Sequence, residues 1–524
     1  MNKARNTPPR RGQARRHRAA AVTAALITLI PIASACSSSG NPGGGASTKL
    51  VWVTNAAPTS LDINTIDNTT ASALLQGNVI EALTRISYDE NKQLVWVPDL
   101  AISWKQIEPT VWRFDVRQNV KFQNGKDLTA ADVAYSINRQ VRPENPQSGR
   151  WQFIKGAKVV DDRTVDISTT QPYAYIDRMV YSIGITPEGW GDNNPSEAKG
   201  TAIGTGPYTL ASYAQGGNNA VLKRWPGYWG PKPSIEEVEM RVIPEAGSAL
   251  AALQAGEADV VQSLPPELLQ AAPKVIETSG ILVTLARIGA EQPPFNDPRV
   301  RRAINMAIDR QALVNDIEAG HADLPHGQIV PSTAAGFNPS IQDYPYDPDG
   351  ARKLLGAANA SGATVTINCV SDSYDAAYRD TCQVISESLK AVGLNPVMSL
   401  QPKTLWSAGL YAPSKGGTVP DIHVQQTGTY MLESSQTLAT WLTCESTRNA
   451  FCDKEINDQI LNASSDTDIA RRTQELQTVA QEVFDAAPLV PLYGQRNSVA
   501  VRANIDGTVF PYSGDTYWAG WKIN

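Results

Sequence analysis

The sequence predicts a mixed α/β protein with more than one lobe, and three observations support that class. The chain has 524 residues, which is enough for a large core and for division into lobes. Residues 112–117 alternate bulky apolar side chains with charged ones, which is the period of a half-buried strand. Residues 364–369 and 377–392 place a strand pattern before a helix pattern, which predicts a βα unit.

The strand at residues 112–117 leads through a turn into a helix. Asn124-Gly125 tolerates the positive φ that a turn needs. Thr129 stands three residues before Asp132, a spacing that predicts an N-cap, and an apolar stripe at helical spacing follows. Residues 163–168 alternate like a strand and are the expected neighbour of the first strand.

The N-terminus differs from the rest of the chain. Residues 5–18 contain six arginines and one histidine without an acid, and residues 19–33 are apolar. Small residues follow, so residues 1–35 are predicted to be a secretory signal peptide. The apolar run is shorter than the roughly 20 residues that span a bilayer.

Ala33-Ser-Ala-Cys36 resembles a bacterial lipobox, which predicts a lipid on Cys36. The alternative is ordinary cleavage nearby, with Cys36 left as an incidental thiol. Residues 36–48 are rich in Ser and Gly and are predicted to be a flexible tether. Such a protein would be held at the extracytoplasmic face of the bacterial cell membrane without being embedded in it.

The other four cysteines form an even set, which suits disulfides in an oxidising compartment. Three pairings are possible. Cys444 with Cys452 is favoured because the residues between them are loop-like, and Cys369 with Cys382 is the remaining pair. The smaller loop would contribute at most about 2.5 kcal/mol.

Composition and motifs argue against several functional classes. The net charge of −6 gives no reason to expect nucleic-acid binding. The sequence lacks G-x-S-x-G, H-E-x-x-H or S-x-x-K in a convincing context, so no catalytic residue is predicted and a secreted glycosidase or peptidase is only a nominal alternative. His321 and His326 flank Asp323, but we expect this spacing to arise by chance, so neither a metal nor another cofactor is predicted.

Several motifs together resemble one family, the family 5 solute-binding proteins of ABC transporters, which are dipeptide-, oligopeptide- and nickel-binding lipoproteins. The resemblance extends over residues 50–493. It rests on W-x-F-x-V-R at 112–117, V-K-F-x-N-G at 120–125, L-T-A-x-D-V-x-Y-S at 128–136, G-T-G-P-Y at 204–208 and N-D-P-R-V-R-R-A-I-N at 296–305. The glycine-rich motif lacks the Lys-Ser/Thr of a phosphate-binding loop, and Pro207 would remove an amide donor.

The resemblance implies a bilobal fold like that of the type II, cluster C periplasmic binding proteins, with two α/β lobes joined by a hinge and a smaller inserted subdomain. Lobe I would combine residues 49–72, 203–278 and 490–524. The inserted subdomain would be residues 73–202 and lobe II residues 279–489. The hinge would cross near residues 279–287 and 487–493.

The resemblance also implies a role. The protein would be a monomeric binding lipoprotein of an ABC importer that captures a di- or oligopeptide between its lobes and delivers it to the permease subunits. The alternatives are an uncharged polar ligand such as an oligosaccharide or glycoside, a metal complex, or a sensor lipoprotein that does not transport.

Peptide-binding members usually carry a G-W-x-x-D-y-x-D-P element whose aspartate meets the amino terminus of the peptide. Its counterpart here is residues 421–433, where Gln426-Thr427 replaces Gly-Trp and only Glu433 remains as a possible acid. The expected ligand-binding residues are Gln425, Gln426, Thr427 and Tyr430, with Asp62 from a second family segment. The alternative is that residues 421–433 simply form a core strand.

Overall fold

The computed structural model describes residues 48–62, 70–145, 148–193, 195–371, 376–412, 418–512 and 514–524. The predicted signal peptide, Cys36 and all but the last residue of the predicted tether lie outside the described residues. None of the described helices has the length and apolar character needed to cross a membrane.

Strands and helices alternate along most of the chain. The strands are β1 Lys49–Thr54, β2 Thr84–Tyr88, β3 Leu94–Pro98, β4 Ala101–Glu108, β5 Val111–Val116, β6 Ile154–Asp161, β7 Thr164–Thr169, β8 Tyr208–Tyr213, β9 Asn219–Arg224, β10 Glu237–Val242, β11 Val260–Gln262, β12 Lys274–Ile288, β13 Ala322–Asp323, β14 Thr364–Val370, β15 Asn395–Gln401, β16 Ile422–Gly428, β17 Leu489–Val501, β18 Ile505–Asp506 and β19 Lys522–Ile523.

The helices are α1 Thr70–Val79, α2 Ala130–Gln140, α3 Ile176–Val180, α4 Pro195–Gly200, α5 Ala246–Gln254, α6 Pro266–Leu269, α7 Pro298–Met306, α8 Arg310–Ala312, α9 Pro348–Ala357, α10 Ala376–Ala391, α11 Lys403–Leu410, α12 Ser434–Leu442, α13 Lys454–Ser465 and α14 Ile469–Ala486. Short 3₁₀ turns at Ser148–Trp151 and Trp518–Gly520 and one π turn at Leu313–Ile317 complete the described elements. The predicted βα unit is confirmed as β14 and α10.

One large sheet runs through the described chain in the order β15-β14-β16-β12-β17-β11-β1-β10-β9-β8, with β13 added beside β17. The long strands β12 and β17 are antiparallel partners from Lys274 opposite Val501 to Arg287 opposite Leu489. One end of this pair adjoins β11 and the other end adjoins β16. Their pairing is irregular between Ser279 and Val283, inside one of the two predicted hinge segments.

The range predicted to be inserted, residues 73–202 and here called the inserted part, contains a separate antiparallel sheet in the order β4-β5-β7-β6. Strand β5 confirms the strand predicted at residues 112–117, and β7 is its neighbour as expected. Helix α2 begins with the predicted capping box, in which the Thr129 amide donates to the Asp132 carboxylate over 2.9 Å. Phe114 and Ile137 are both fully buried in the core between this sheet and α2.

Buried apolar residues form separate cores. One core joins Trp52 of β1 to residues 74–80 and to the C-terminal Trp518 and Trp521. A second core fills the inserted part, and two more lie on opposite faces of the sheet around β12 and β16. Residues 74–80, which the prediction assigns to the inserted subdomain, thus pack against β1 and the C-terminal tryptophans.

Two disulfide bonds are present. Cys369 of β14 is bonded to Cys382 of α10, with their Cα atoms 6.5 Å apart. Cys444 is bonded to Cys452, with their Cα atoms 4.9 Å apart. Both bonds have the pairing expected from the sequence, and both lie in the range predicted for lobe II.

Candidate functional site

A cavity of about 190 Å³ lies where α1, the β2–β3 hairpin, the turn at 181–184 and the C-terminal loop meet. Five aromatic residues contribute to its walls. The aromatic wall residues are Trp151, Tyr181, Tyr228, Tyr512 and Tyr517. Concave apolar surface with a few convergent polar groups is the usual character of a ligand site.

The acid Glu81 lines this cavity just after α1 and is held by three donors. Its carboxylate accepts hydrogen bonds from the Tyr228 hydroxyl, the Trp229 indole and the Thr205 hydroxyl, each 2.7 Å long. Burial, followed by the charge of Asp99, raises the pKa of Glu81 to about 8. The buried site thus favours the protonated form of Glu81 relative to a carboxyl group in water.

The G-T-G-P-Y motif explains how Thr205 reaches Glu81. A Cβ atom on Gly204 would lie 2.1 Å from the Val79 carbonyl oxygen, and one on Gly206 would lie 2.8 Å from the same atom. Only glycine allows this backbone to press against the end of α1. The motif is thus a packing element beside the cavity, in agreement with the argument against a phosphate loop.

A second acid, Asp99, lines the same cavity and is only 6% exposed. The backbone of Ala82 hydrogen-bonds to its carboxylate, and the Arg85 Nε atom lies 4.0 Å away. Burial raises the pKa of Asp99 to about 6, against the opposing pull of Arg85. Asp515 of the C-terminal loop is a third acid among the lining residues.

Tyr430 is not among the residues that line the cavity, but it contacts two of them. Its carbonyl accepts a hydrogen bond from the Tyr181 hydroxyl at 3.4 Å, and its ring meets that of Tyr512 edge-on with centroids 6.4 Å apart. Leu432, two residues further along the chain, packs with Ile281 in a small apolar cluster that also contains Ile86 and Phe510. Tyr430 is the predicted ligand-binding residue that the structure brings nearest to the cavity.

The neighbouring residues of β16 do not line the cavity. Gln425 and Thr427 are buried on the face that carries α12, where Thr427 accepts a hydrogen bond from the Trp441 indole at 2.7 Å. Gln426 is half-buried on the opposite face. All three residues lie in strand β16, as the alternative interpretation expects, and their role in ligand binding stays a prediction.

Asp62 and Glu433 each have an arginine partner. Arg139 holds Asp62 through two hydrogen bonds of 2.7 and 2.9 Å. Glu433 caps α12 through the Ser435 amide and lies 3.2 Å from Arg472, with both side chains buried. Neither carboxylate is among the residues that line the cavity.

His321, Asp323 and His326 do not converge. The His321 ring bonds the Glu277 carboxylate at 2.8 Å, and Asp323 pairs with Arg496 at 2.7 Å. Within the described ranges, no group of three potential ligands is arranged to hold a metal ion.

Sequence reasoning missed Glu81, Asp99 and Asp515 as site residues. Asp99 directly follows β3, but nothing in the sequence around it shows that its side chain faces a cavity. Asp515 is more than four hundred residues away from Asp99 in the sequence. It reaches the cavity only because the C-terminal loop packs on α1.

Comparisons with known proteins agree with this architecture. Residues 95–449 match the family model of bacterial extracellular solute-binding proteins, family 5 Middle. The glutathione-binding protein GsiB of Shigella flexneri serotype 5b (strain 8401) is 26% identical over 414 residues, covering 75% of this chain and 79% of that protein. The dipeptide-binding protein of Escherichia coli (strain K12) is 28% identical over 291 residues, covering 49% of this chain and 54% of that protein.

A solved structure shows the same fold. The periplasmic binding protein DppA from Helicobacter pylori, in complex with the peptide STSA, superposes with a TM-score of 0.70 at 21% identity, covering 91% of this chain and 98% of that chain. The predicted fold class, a bilobal α/β periplasmic binding protein, is therefore confirmed. The chain belongs to the bacterial extracellular solute-binding proteins of family 5.

Proposed function

We propose that this protein is the substrate-binding component of an ABC importer and that it captures a short peptide. The observation that carries the proposal is the cavity with aromatic and acidic wall residues between α1, the β2–β3 hairpin and the C-terminal loop. Two of its wall residues, Tyr181 and Tyr512, contact Tyr430. The names of two relatives, a glutathione-binding and a dipeptide-binding protein, support a ligand of this class. The alternative of a glycoside depends on the neutral side chains of Gln425, Gln426, Thr427 and Tyr430. None of the four is among the residues that line the cavity, although Tyr430 contacts Tyr181 and Tyr512 of its wall.

Capture of a ligand would require the two lobes to close around it. Contacts between the inserted part and residues 430–432 would hold the closed form together. Met431 is buried in the core of the inserted part, although it follows β16 in the sequence. The Arg178 guanidinium donates to the Leu432 carbonyl at 2.6 Å and stacks on the Trp96 and Tyr175 rings. We infer that these contacts part when the ligand enters and that the irregular pairing of β12 with β17 takes up the motion.

The anchor and the partners follow from the same proposal. A lipid on Cys36 and the tether at residues 36–48 would keep the monomer on the extracytoplasmic face of the membrane, close to its permease. Replacing Cys36 by Ala in the full chain is expected to abolish incorporation of labelled palmitate and to release the protein from membranes. Retention of the label by the variant would refute this assignment.

The ligand class is tested by thermal unfolding of the mature chain with di- to octapeptides, oligosaccharides and metal complexes. A ligand at 100 times its Kd adds about 2.7 kcal/mol to the free energy of unfolding, which is readily seen as a higher midpoint. We expect peptides to raise the midpoint. A clear shift with a sugar or a metal complex, and none with any peptide, would refute peptide capture.

A further inference from the structure

We propose that His321 and Asp323 form a pH-sensitive strap across the hinge, which ties the predicted lobe II to charged side chains of β12 and β17. The strap holds the lobes together more firmly in acid than in alkaline solution. This inference rests on the closure proposed above, because a strap has an effect only if the lobes open and close. It depends on which charged side chains cross the predicted border between the lobes.

The strand β13 borders the hinge strands at the place where their pairing is irregular. Gly494 of β17 lies opposite Val283 of β12 and also opposite Asp323 of β13. A Cβ atom on Gly280, inside the irregular stretch, would lie 2.6 Å from the Gln495 carbonyl oxygen. Glycine therefore lets β12 press against β17 here. A change of the hinge angle at this point would shift β13 relative to the ends of β12 and β17 that lie in lobe I.

Four charged or titratable side chains meet beside this point. The Glu277 carboxylate accepts hydrogen bonds from the His321 Nδ1 atom at 2.8 Å and from the Arg496 Nη1 atom at 2.6 Å. The Arg496 Nε atom donates to the Asp323 carboxylate over 2.7 Å. By the predicted borders, Glu277 and Arg496 belong to lobe I, whereas His321 and Asp323 belong to lobe II. Two of these three contacts therefore join the lobes.

The four side chains have balanced charges only when His321 is protonated. Glu277 and Asp323 bring two negative charges, and Arg496 brings one positive charge. Burial opposes the ionisation of Glu277, but hydrogen bonds from His321 and Arg496 outweigh it and hold the pKa of Glu277 below its usual value. Glu318, whose backbone carbonyl accepts the His321 amide at 2.7 Å, is a further acid nearby in the chain.

The sign of the pH dependence follows from the contact between His321 and Glu277. Histidine side chains gain their charge in the range of about pH 5–8, and this ring is 18% exposed, so protons can reach it. Protonation turns its hydrogen bond to Glu277 into an ion pair, which is a stronger contact. The contact is present in the same structure that holds Tyr181 against Tyr430. Protonation thus favours the closed form, and the closed fraction falls as pH rises.

Single-molecule Förster transfer between the lobes tests this inference without any ligand. Donor and acceptor dyes are attached to the mature chain carrying Cys36→Ser, Lys232→Cys and Lys353→Cys. Both lysines are exposed, one in the range of lobe I and one in that of lobe II. The other four cysteines are joined in disulfide bonds. We expect the ratio of closed to open molecules to be about two- to fivefold higher at pH 5.5 than at pH 8, the scale of a partly exposed ion pair.

Two histidine variants locate the source of the effect. His321→Gln keeps a side chain that can form hydrogen bonds but cannot gain the charge, so its ratio should be the same at both pH values. His326→Asn is the matched control. His326 lines the groove beside Asp323 and Arg496, and its ring meets that of Phe337 edge-on. Asn tolerates the positive φ of 49° at this position, and the variant should keep the pH dependence of the wild type.

Two results would overturn the inference. Equal ratios at pH 5.5 and pH 8 in the protein with native His321 would show that no pH-sensitive strap exists. A dependence that persists in His321→Gln would remove His321 as its source. The first comparison leaves the cluster unchanged, so it remains decisive even if His321→Gln fails to fold. Neither result bears on peptide capture, which the thermal unfolding experiment with peptides tests separately.

Discussion

The buried pair Glu433–Arg472 offers the sharpest test of how this molecule is held together. Both side chains are at most 1% exposed, and the Arg472 Nη2 and Glu433 Oε2 atoms are 3.2 Å apart. Arg472 also donates to the Ser464 carbonyl at 2.6 Å and to the Ser435 hydroxyl at 2.8 Å. Its guanidinium lies 5.0 Å from the centre of the Tyr175 ring, in the inserted part.

Replacing Arg472 by Met keeps most of the side-chain volume but leaves the Glu433 carboxylate buried without its cation. Removal of one partner of a buried ion pair destabilises proteins by about 3–5 kcal/mol, and we expect a loss in that range. Adding Glu433→Gln to the same chain removes the stranded charge, so the double variant should recover about 1–3 kcal/mol relative to additive behaviour.

Urea unfolding followed by tryptophan fluorescence measures these differences. Arg471→Met is the matched control, because Arg471 adjoins Arg472 in the helix but pairs with Asp466 at the surface. Surface pairs contribute about 0–1 kcal/mol, so the control should unfold almost like the wild type. A loss below 1 kcal/mol for Arg472→Met, or additive effects in the double variant, would refute the reasoning.

Three further changes have expected outcomes. Replacing Cys444 and Cys452 by Ser opens a loop with a sequence separation of 8 and should lower the free energy of unfolding by about 2.5 kcal/mol; an unchanged urea midpoint would contradict this. Burial and Asp99 raise the pKa of Glu81 from 4.5 to about 8, so the folded protein binds this proton more tightly than the unfolded chain does. Stability should therefore fall as pH rises from 4.5 to 8, by at most about 5 kcal/mol, and Glu81→Gln should flatten that slope in unfolding curves taken at several pH values. Met431→Ala removes a buried side chain that we propose packs in the closed form, at a cost of about 2 kcal/mol or more. The variant should therefore bind peptide at least tenfold more weakly in titration calorimetry. An unchanged Kd would count against a role of this segment in closure.

Local patterns predicted local structure well. The helix after Thr129 was predictable because its capping box needs only Thr129 and Asp132, three residues apart. The strand at residues 112–117 was predictable because alternation is a property of consecutive residues. The disulfide between Cys444 and Cys452 closes a loop so short that its partners could hardly be separated in the fold.

The site could not be predicted in the same way. Glu81 and Asp99 are brought to one cavity by the β2–β3 hairpin, and Asp515 arrives from the far end of the chain. The pattern of residues 422–428 indicated a strand but not its neighbours. Because β14 and β12 flank β16 and helices cover the sheet, Gln425 is buried rather than offered to a ligand.

The two long strands also determine how the molecule can be divided. The first part of β17 contributes Val490 and Leu492 to one core, and its last part contributes Val499 and Val501 to another. A cut between the lobes would therefore break β12 and β17 in their middle and leave unpaired strand ends on each fragment. We expect neither lobe to be a folding unit of its own, and residues 48–524 should fold and unfold as one body.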